Sequence, residues 1–203
     1  MDSLLNDLNQ KININYNRIN KGTGAGGCKT NKSGKTYEQK VDCSNYLISN
    51  GFKYISENKN TYLFKTIKNL EILFFKQREL NKYLQKNFNK KIYRIPDQSI
   101  LIKSKENKPK LIIIEIKNQN VSGSVDEKLW AGIAIKKNYQ IWLDEFEIDY
   151  VFILSPFLFK LVIENKKKYN GLKKIFELKN IQIFNGDDIN HDKNIYNIII
   201  NNS

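Results

Sequence analysis

Asp97, Glu115 and Lys117 are the residues of this sequence whose types and spacing are best suited to chemistry. Along Ile112-Ile113-Ile114-Glu115-Ile116-Lys117-Asn118-Gln119, the two-residue period of a strand puts Glu115, Lys117 and Gln119 on one face, with Ile114 and Ile116 on the other. Opposite charges in an otherwise apolar strand are costly unless they pair or coordinate a metal. Upstream, Pro96-Asp97 falls in a second strand-like stretch, and a hairpin between the two stretches brings Asp97 alongside Glu115. Two adjacent carboxylates form a hard oxygen site of the kind Mg²⁺ takes. A cation held there polarises a phosphate and lowers the pKa of bound water, while the Lys117 ammonium can stabilise developing negative charge. The plain alternative is that Glu115 and Lys117 form a surface pair on an edge strand.

The elements that must position these residues are legible around them. Residues 92–102 and 111–118 read as strands, joined by the polar stretch 103–110. Ser124 followed by Glu127 is a capping-box signature, so a helix carrying Val125, Leu129 and Ile133 begins just beyond the second strand. Earlier, Tyr37, Val41, Leu47 and Ile48 suit one helix from Ser33 to about Asn50-Gly51, with Glu38 on it. Residues 52–56, 61–67 and 70–76 read as short strands, and 78–88 as a short helix. Residues 149–154 form another strand candidate, Ser155-Pro156 caps and opens a helix, and 181–184 adds a last strand. Residues 15–35 are Gly-, Asn-, Lys- and Thr-rich and lack apolar periodicity, so they read as a loop. Nothing marks an internal repeat or a boundary, and the expectation is one domain over residues 1–203, an α/β fold with a central mixed sheet flanked by helices.

Composition narrows the chemistry. The formal charge of +13 attracts polyanions, nucleic acid first among them, although a Lys-, Asn- and Ile-rich composition alone also produces such an excess. Cys28 and Cys43 have no CxxC spacing and His191 is the single histidine, which removes zinc sites and Cys/His catalysis. No apolar run approaches the roughly 20 residues that span a bilayer, and Met1 to Asp7 lacks the basic start and apolar core of a secretory signal. The expectation is a cytoplasmic protein. Two tempting motifs fail. Gly22, Gly24 and Gly27 fit GxGxxG without a preceding strand, and Ser33-Gly34-Lys35-Thr36 ends like a P-loop but has Lys29 where its first glycine belongs.

Pro96-Asp97 followed by Glu115-Ile116-Lys117, in that order and strand context, resembles the motif of the PD-(D/E)XK nuclease superfamily. The stretch from Glu115 through Ser122-Gly123-Ser124 to Trp130, with Gly26-Gly27, Asn31-Lys32 and Ser33-Gly34-Lys35 before the helix of Glu38, resembles the restriction-enzyme members. The likeness spans about 24–154 and leaves both termini divergent. It implies a Mg²⁺-dependent DNA endonuclease, with Asp97 and Glu115 as metal ligands, the Ile116 carbonyl as a further one, Lys117 acting on the attacking water, and Glu38 as an additional acid. Glu38 reads equally well as a solvated helix residue. A repair or recombination nuclease, and a silent DNA-binding module of the same fold, are the alternatives.

Contacts to double-stranded DNA are expected from Lys29, Asn31, Lys32, Ser33 and Lys35 in the Gly-rich loop, from Gln119 and Lys128, and from Ser122 and Ser124 at a helix N-terminus suited to a phosphate. An ordinary helix cap and a solvated basic loop are the plain readings of the same residues. A homodimer on DNA follows from the restriction-enzyme likeness and from the presence of a single set of acids.

Overall fold

The computed structural model describes residues 36–57, 59–119, 125–164 and 166–202. Its strands are β1 (Lys53–Glu57), β2 (Asn60–Ile67), β3 (Leu70–Lys76), β4 (Gln98–Lys103), β5 (Lys110–Lys117), β6 (Glu147–Leu154) and β7 (Ile181–Asn185). They form one seven-stranded sheet in chain order. The pairs from β1 to β5 are antiparallel, whereas β5–β6 and β6–β7 are parallel. This is a mixed α/β sheet, and the change of sense occurs at β5, the strand of Glu115 and Lys117. Its helices are α1 (Ser44–Ser49), α2 (Glu79–Phe88), α3 (Val125–Trp142), α4 (Pro156–Glu164), α5 (Lys166–Leu178) and α6 (His191–Asn201).

Strand alternation sorts the apolar residues into two layers. One face carries Leu73, Phe75, Leu101, Leu111, Ile113, Tyr150 and Phe152 beneath helix residues such as Leu80, Leu129, Tyr139 and Leu172. The other carries Ile72, Phe74, Ile100, Ile112, Ile114, Val151 and Ile153 beneath Val41, Leu47, Ile195 and Ile199. Covered on both sides, β5 shows the near-continuous apolar run from Leu111 to Ile114 that parallel, two-sided burial requires. Each such side chain contributes about 1.5–3 kcal/mol of transfer free energy.

Two expectations need correcting. The strand read over 92–102 begins only at Gln98. Pro96 has no N–H for a ladder, and the stretch after α2 is held otherwise: Asn89 turns left-handed at φ 52°, and Ile92 N–H donates to Asn81 Oδ1 at 3.0 Å. The single helix read from Ser33 to Gly51 is interrupted as well, since residues 36–40 are helical and α1 starts anew at Ser44. The Asp42 carboxylate accepts from Ser44 N (3.1 Å) and Ser44 Oγ (2.6 Å), the local alternative to helical bonding that Asp side chains offer. Gly51 ends α1 as anticipated, at φ 88°. Helices α5 and α6 have no counterpart in the sequence reading. Among the described residues no helix is long and apolar enough to cross a membrane.

Candidate active site

The β4–β5 register pairs Gln98 with Ile114 and Ser99 with Ile113, so one step further Asp97 stands opposite Glu115. Asp97 is fixed at the mouth of the hairpin by its own groups. Its Oδ2 accepts from Ile116 N–H at 2.7 Å, and its carbonyl accepts from Gln77 N–H, just past β3, at 3.0 Å. Glu115, 2% exposed, points into the helix-covered face; the surface-pair alternative is therefore overturned, for β5 is an interior strand. Lys117 follows on the same face. Its ammonium lies 2.5 Å from Glu115 Oε2, 3.3 Å from the Ile116 carbonyl and 3.8 Å from Asp97 Oδ2.

The exit from β5 is stapled to the start of α4. Ser155 N–H donates to the Lys117 carbonyl at 2.9 Å, and Ser155 Oγ both donates to the Gln119 carbonyl (2.8 Å) and accepts from Gln119 N–H (3.2 Å). Ser155 thus performs two tasks: it opens α4, accepting Phe159 N–H at 2.9 Å, and it locks the strand end that carries Lys117.

Burial pushes the Asp97 carboxyl up to about 6, and the neighbouring Glu115 charge adds to this, while Lys117 and the Ile116 N–H pull it back. Glu38 contributes a smaller upward push. The phenols of Tyr139 and Tyr150 are raised by burial and by the Glu115 charge. Behind Glu115 lie the buried rings of Tyr139 and Tyr150, and in such surroundings a charge is screened less than in water.

Two carboxylates, one backbone carbonyl and an ammonium already seated among them fit a hard divalent cation. The Lys117 nitrogen contacts the same three groups, Asp97, Glu115 and the Ile116 carbonyl, that an oxygen-ligated ion would use. In chemical terms it stands in for part of that positive charge. Among the described residues no group of three or more Asp, Glu, His or Cys side chains converges on one point, so Glu38 does not close with the other two.

Glu38 sits in the helical turn 36–40, whose neighbour Tyr37 donates its hydroxyl to the Leu154 carbonyl at 3.0 Å. That bond holds the turn at the end of β6 beside the carboxylates. Gln119 and the exposed Lys128 approach each other, Nζ to Oε1 at 3.5 Å, beyond the end of β5. Lys29, Asn31, Lys32, Ser33, Lys35, Ser122 and Ser124 lie outside the described residues, as do the loop 15–35 and the Ser124 cap. Sequence reading missed Arg94, whose Nε stands 3.6 Å from Glu115 Oε1. Its position two residues before Pro96 is the available signal, hidden by the strand-like look of 92–97.

No curated protein and no solved structure matches the chain significantly. The sequence model of the family described as the PD-(D/E)XK nuclease superfamily domain does match, over residues 29–141, a span that encloses Asp97, Glu115 and Lys117. That span exceeds half of the chain, so the protein belongs to the PD-(D/E)XK nuclease superfamily.

Proposed function

We propose that this nuclease is a Mg²⁺-dependent DNA endonuclease of the restriction type, cutting double-stranded DNA at a defined sequence as a homodimer. The observation that carries the reading is the convergence of Asp97, Glu115, the Ile116 carbonyl and Lys117 at the mouth of the β4–β5 hairpin. Asp97 and Glu115 would hold the ion with the Ile116 carbonyl. When bound, the ion supplies Lewis-acid polarisation of the phosphate and a more acidic water.

The chain's own residues do the rest. The hairpin holds the backbones of the two carboxylates in facing positions, so metal binding calls for the Lys117 ammonium to leave Glu115 and not for movement of the strands. Lys117, relieved of neutralising Glu115, directs its ammonium to the water and the phosphate oxygen on which charge develops. Gln119 and Lys128 are assigned to the DNA backbone and Glu38 to the acid set, and Lys29, Asn31, Lys32, Ser33, Lys35, Ser122 and Ser124 are assigned to the DNA backbone on sequence grounds. The domain is taken to extend over the whole chain, 1–203.

Digestion of a supercoiled plasmid tests this directly. Discrete fragments with defined ends in Mg²⁺, and none in a chelator, are the expected result. A smear, or nicking that follows DNA structure instead of sequence, would replace restriction with repair or recombination. Absence of cleavage with retained DNA binding would leave a binding module.

A further inference from the structure

Arg94 lies on the connection between α2 and β4, and the backbone around it is pinned at both ends. Its carbonyl accepts the hydroxyl of Tyr139, a fully buried residue of α3, at 2.8 Å. Two residues earlier Ile92 is buried and bonded to Asn81, and three residues later Asp97 enters the hairpin. The side chain is different. It is 46% exposed, and its Nε stands 3.6 Å from Glu115 Oε1, beyond the roughly 2.7–3.2 Å of a hydrogen bond.

Glu115 therefore faces two unequal cations. Lys117 holds Oε2 at 2.5 Å, whereas Arg94 leans on Oε1 loosely and from the solvent side. The contact is long and its Arg94 end is exposed, and buried Glu115 keeps Lys117 as its close partner, so Arg94 can leave without stranding the Glu115 charge. Its planar fork matches a pair of phosphate oxygens better than one carboxylate oxygen approached end-on, and an ammonium cannot reproduce that geometry.

We propose that Arg94 is the scissile-phosphate clamp of this site. In the DNA-free protein the guanidinium rests against Glu115; on DNA it leaves that carboxylate to the metal ion and binds the non-bridging oxygens of the phosphate being cut. The proposal rests on the nuclease reading above and adds a residue outside the three-residue motif. No bond is made or broken by Arg94 itself, which contributes charge and orientation as water attacks and the phosphorus becomes five-coordinate.

The test compares wild type, Arg94→Gln and Arg94→Lys in three measurements: duplex binding in Ca²⁺ across a salt series, calorimetric Mg²⁺ binding without DNA, and cleavage. Arg94→Gln is expected to weaken duplex binding and to flatten the slope of log affinity against log salt by about 0.9, the loss of one phosphate contact. Cleavage should fall by about a hundredfold, and Mg²⁺ binding without DNA should be unchanged or tighter, because a competing cation is gone. Arg94→Lys should recover the salt slope while cleaving slowly. An unchanged slope with wild-type cleavage in Arg94→Gln overturns the clamp and leaves the nuclease reading standing. Weaker Mg²⁺ binding in Arg94→Gln also overturns it, since Arg94 would then only organise Glu115. A wild type that binds neither duplex nor Mg²⁺ brings down both readings, a result distinct from the other two.

Discussion

Asp97 and Glu115 face each other across the hairpin, where burial and then the Glu115 charge raise the Asp97 carboxyl while Lys117 and the Ile116 N–H offset part of that rise. Replacing Asp97 or Glu115 with Ala should abolish cleavage, since each change removes a proposed metal ligand. Because Asp97 also accepts the Ile116 N–H and buried Glu115 pairs with Lys117, Asp97→Asn and Glu115→Gln should abolish cleavage too while keeping fold and DNA binding, read by circular dichroism and duplex binding. Near-normal cleavage by any of these variants would defeat the assignment. Lys117→Ala is expected to lose activity and keep Mg²⁺ affinity, read by calorimetry. The Asp97 carboxyl, held near 6 in the metal-free protein, adds a pH dependence. Because its folded value is raised, the folded state binds this proton more tightly than the unfolded chain, so the group stabilises the metal-free protein at acid pH. That contribution is lost as pH rises through about 6. Metal reverses the sign, as Mg²⁺ must displace the proton: its affinity should fall by up to tenfold per pH unit below about 6 and level off above. Thermal unfolding with and without Mg²⁺ at about pH 5 and about pH 7.5 measures both effects. A Mg²⁺-induced rise in Tm that is the same at both, or an Asp97→Asn variant with the wild-type pH profile, would refute the linkage.

Helix α3 packs on β6, the strand beside β5, and Gly132 sets how close it comes. A Cβ on Gly132 would stand 2.5 Å and 2.6 Å from ring carbons of Phe152, a side chain with no exposure, and 3.6 Å from Tyr150. Alanine would gain up to about 1 kcal/mol of helix propensity, but pressing a methyl into that ring costs about 1–3 kcal/mol. Gly132→Ala is therefore expected to lower stability in a denaturant titration, and a stabilised variant would show that α3 shifts freely. The β4–β5 hairpin was readable in the sequence, because Glu115 and Lys117 keep strand parity within an isoleucine run and Pro96-Asp97 marks the partner. What sequence could not show was the tertiary context. Residues 92–97 look like the start of a strand, yet Ile92 is buried by packing under α2 and Pro96 ends any ladder, which hid Arg94. Likewise Asp42 competes with the helix through its own carboxylate, a choice that local periodicity does not reveal. The Lys- and Asn-rich α5 and α6 have weak propensity signals and are stabilised by burying Leu172, Phe176, Ile195 and Ile199.

At the scale of the whole molecule, the charge of +13 and the proposed cutting of two DNA strands make separate demands. If the basic surface faces DNA, affinity in Ca²⁺ should fall linearly in log salt, by about 0.9 for each phosphate neutralised, and a flat response would assign that charge to another partner. The second demand is symmetry. The chain has one Asp97, Glu115 and Lys117 set and no internal repeat to supply another, so a double-strand break needs either two chains or one site used twice. Two chains related by a two-fold axis read a palindrome naturally, each meeting an identical half-site, and place their two hairpin mouths on opposite strands. A single chain would instead have to release, turn and rebind between cuts, leaving nicked circles in between. Sedimentation of the protein with a cognate duplex in Ca²⁺ should therefore give two chains per duplex, with linear product appearing in plasmid digests without a build-up of nicked circles. One chain per duplex, together with nicked circles that accumulate before linear DNA, would establish sequential nicking and exclude the dimer.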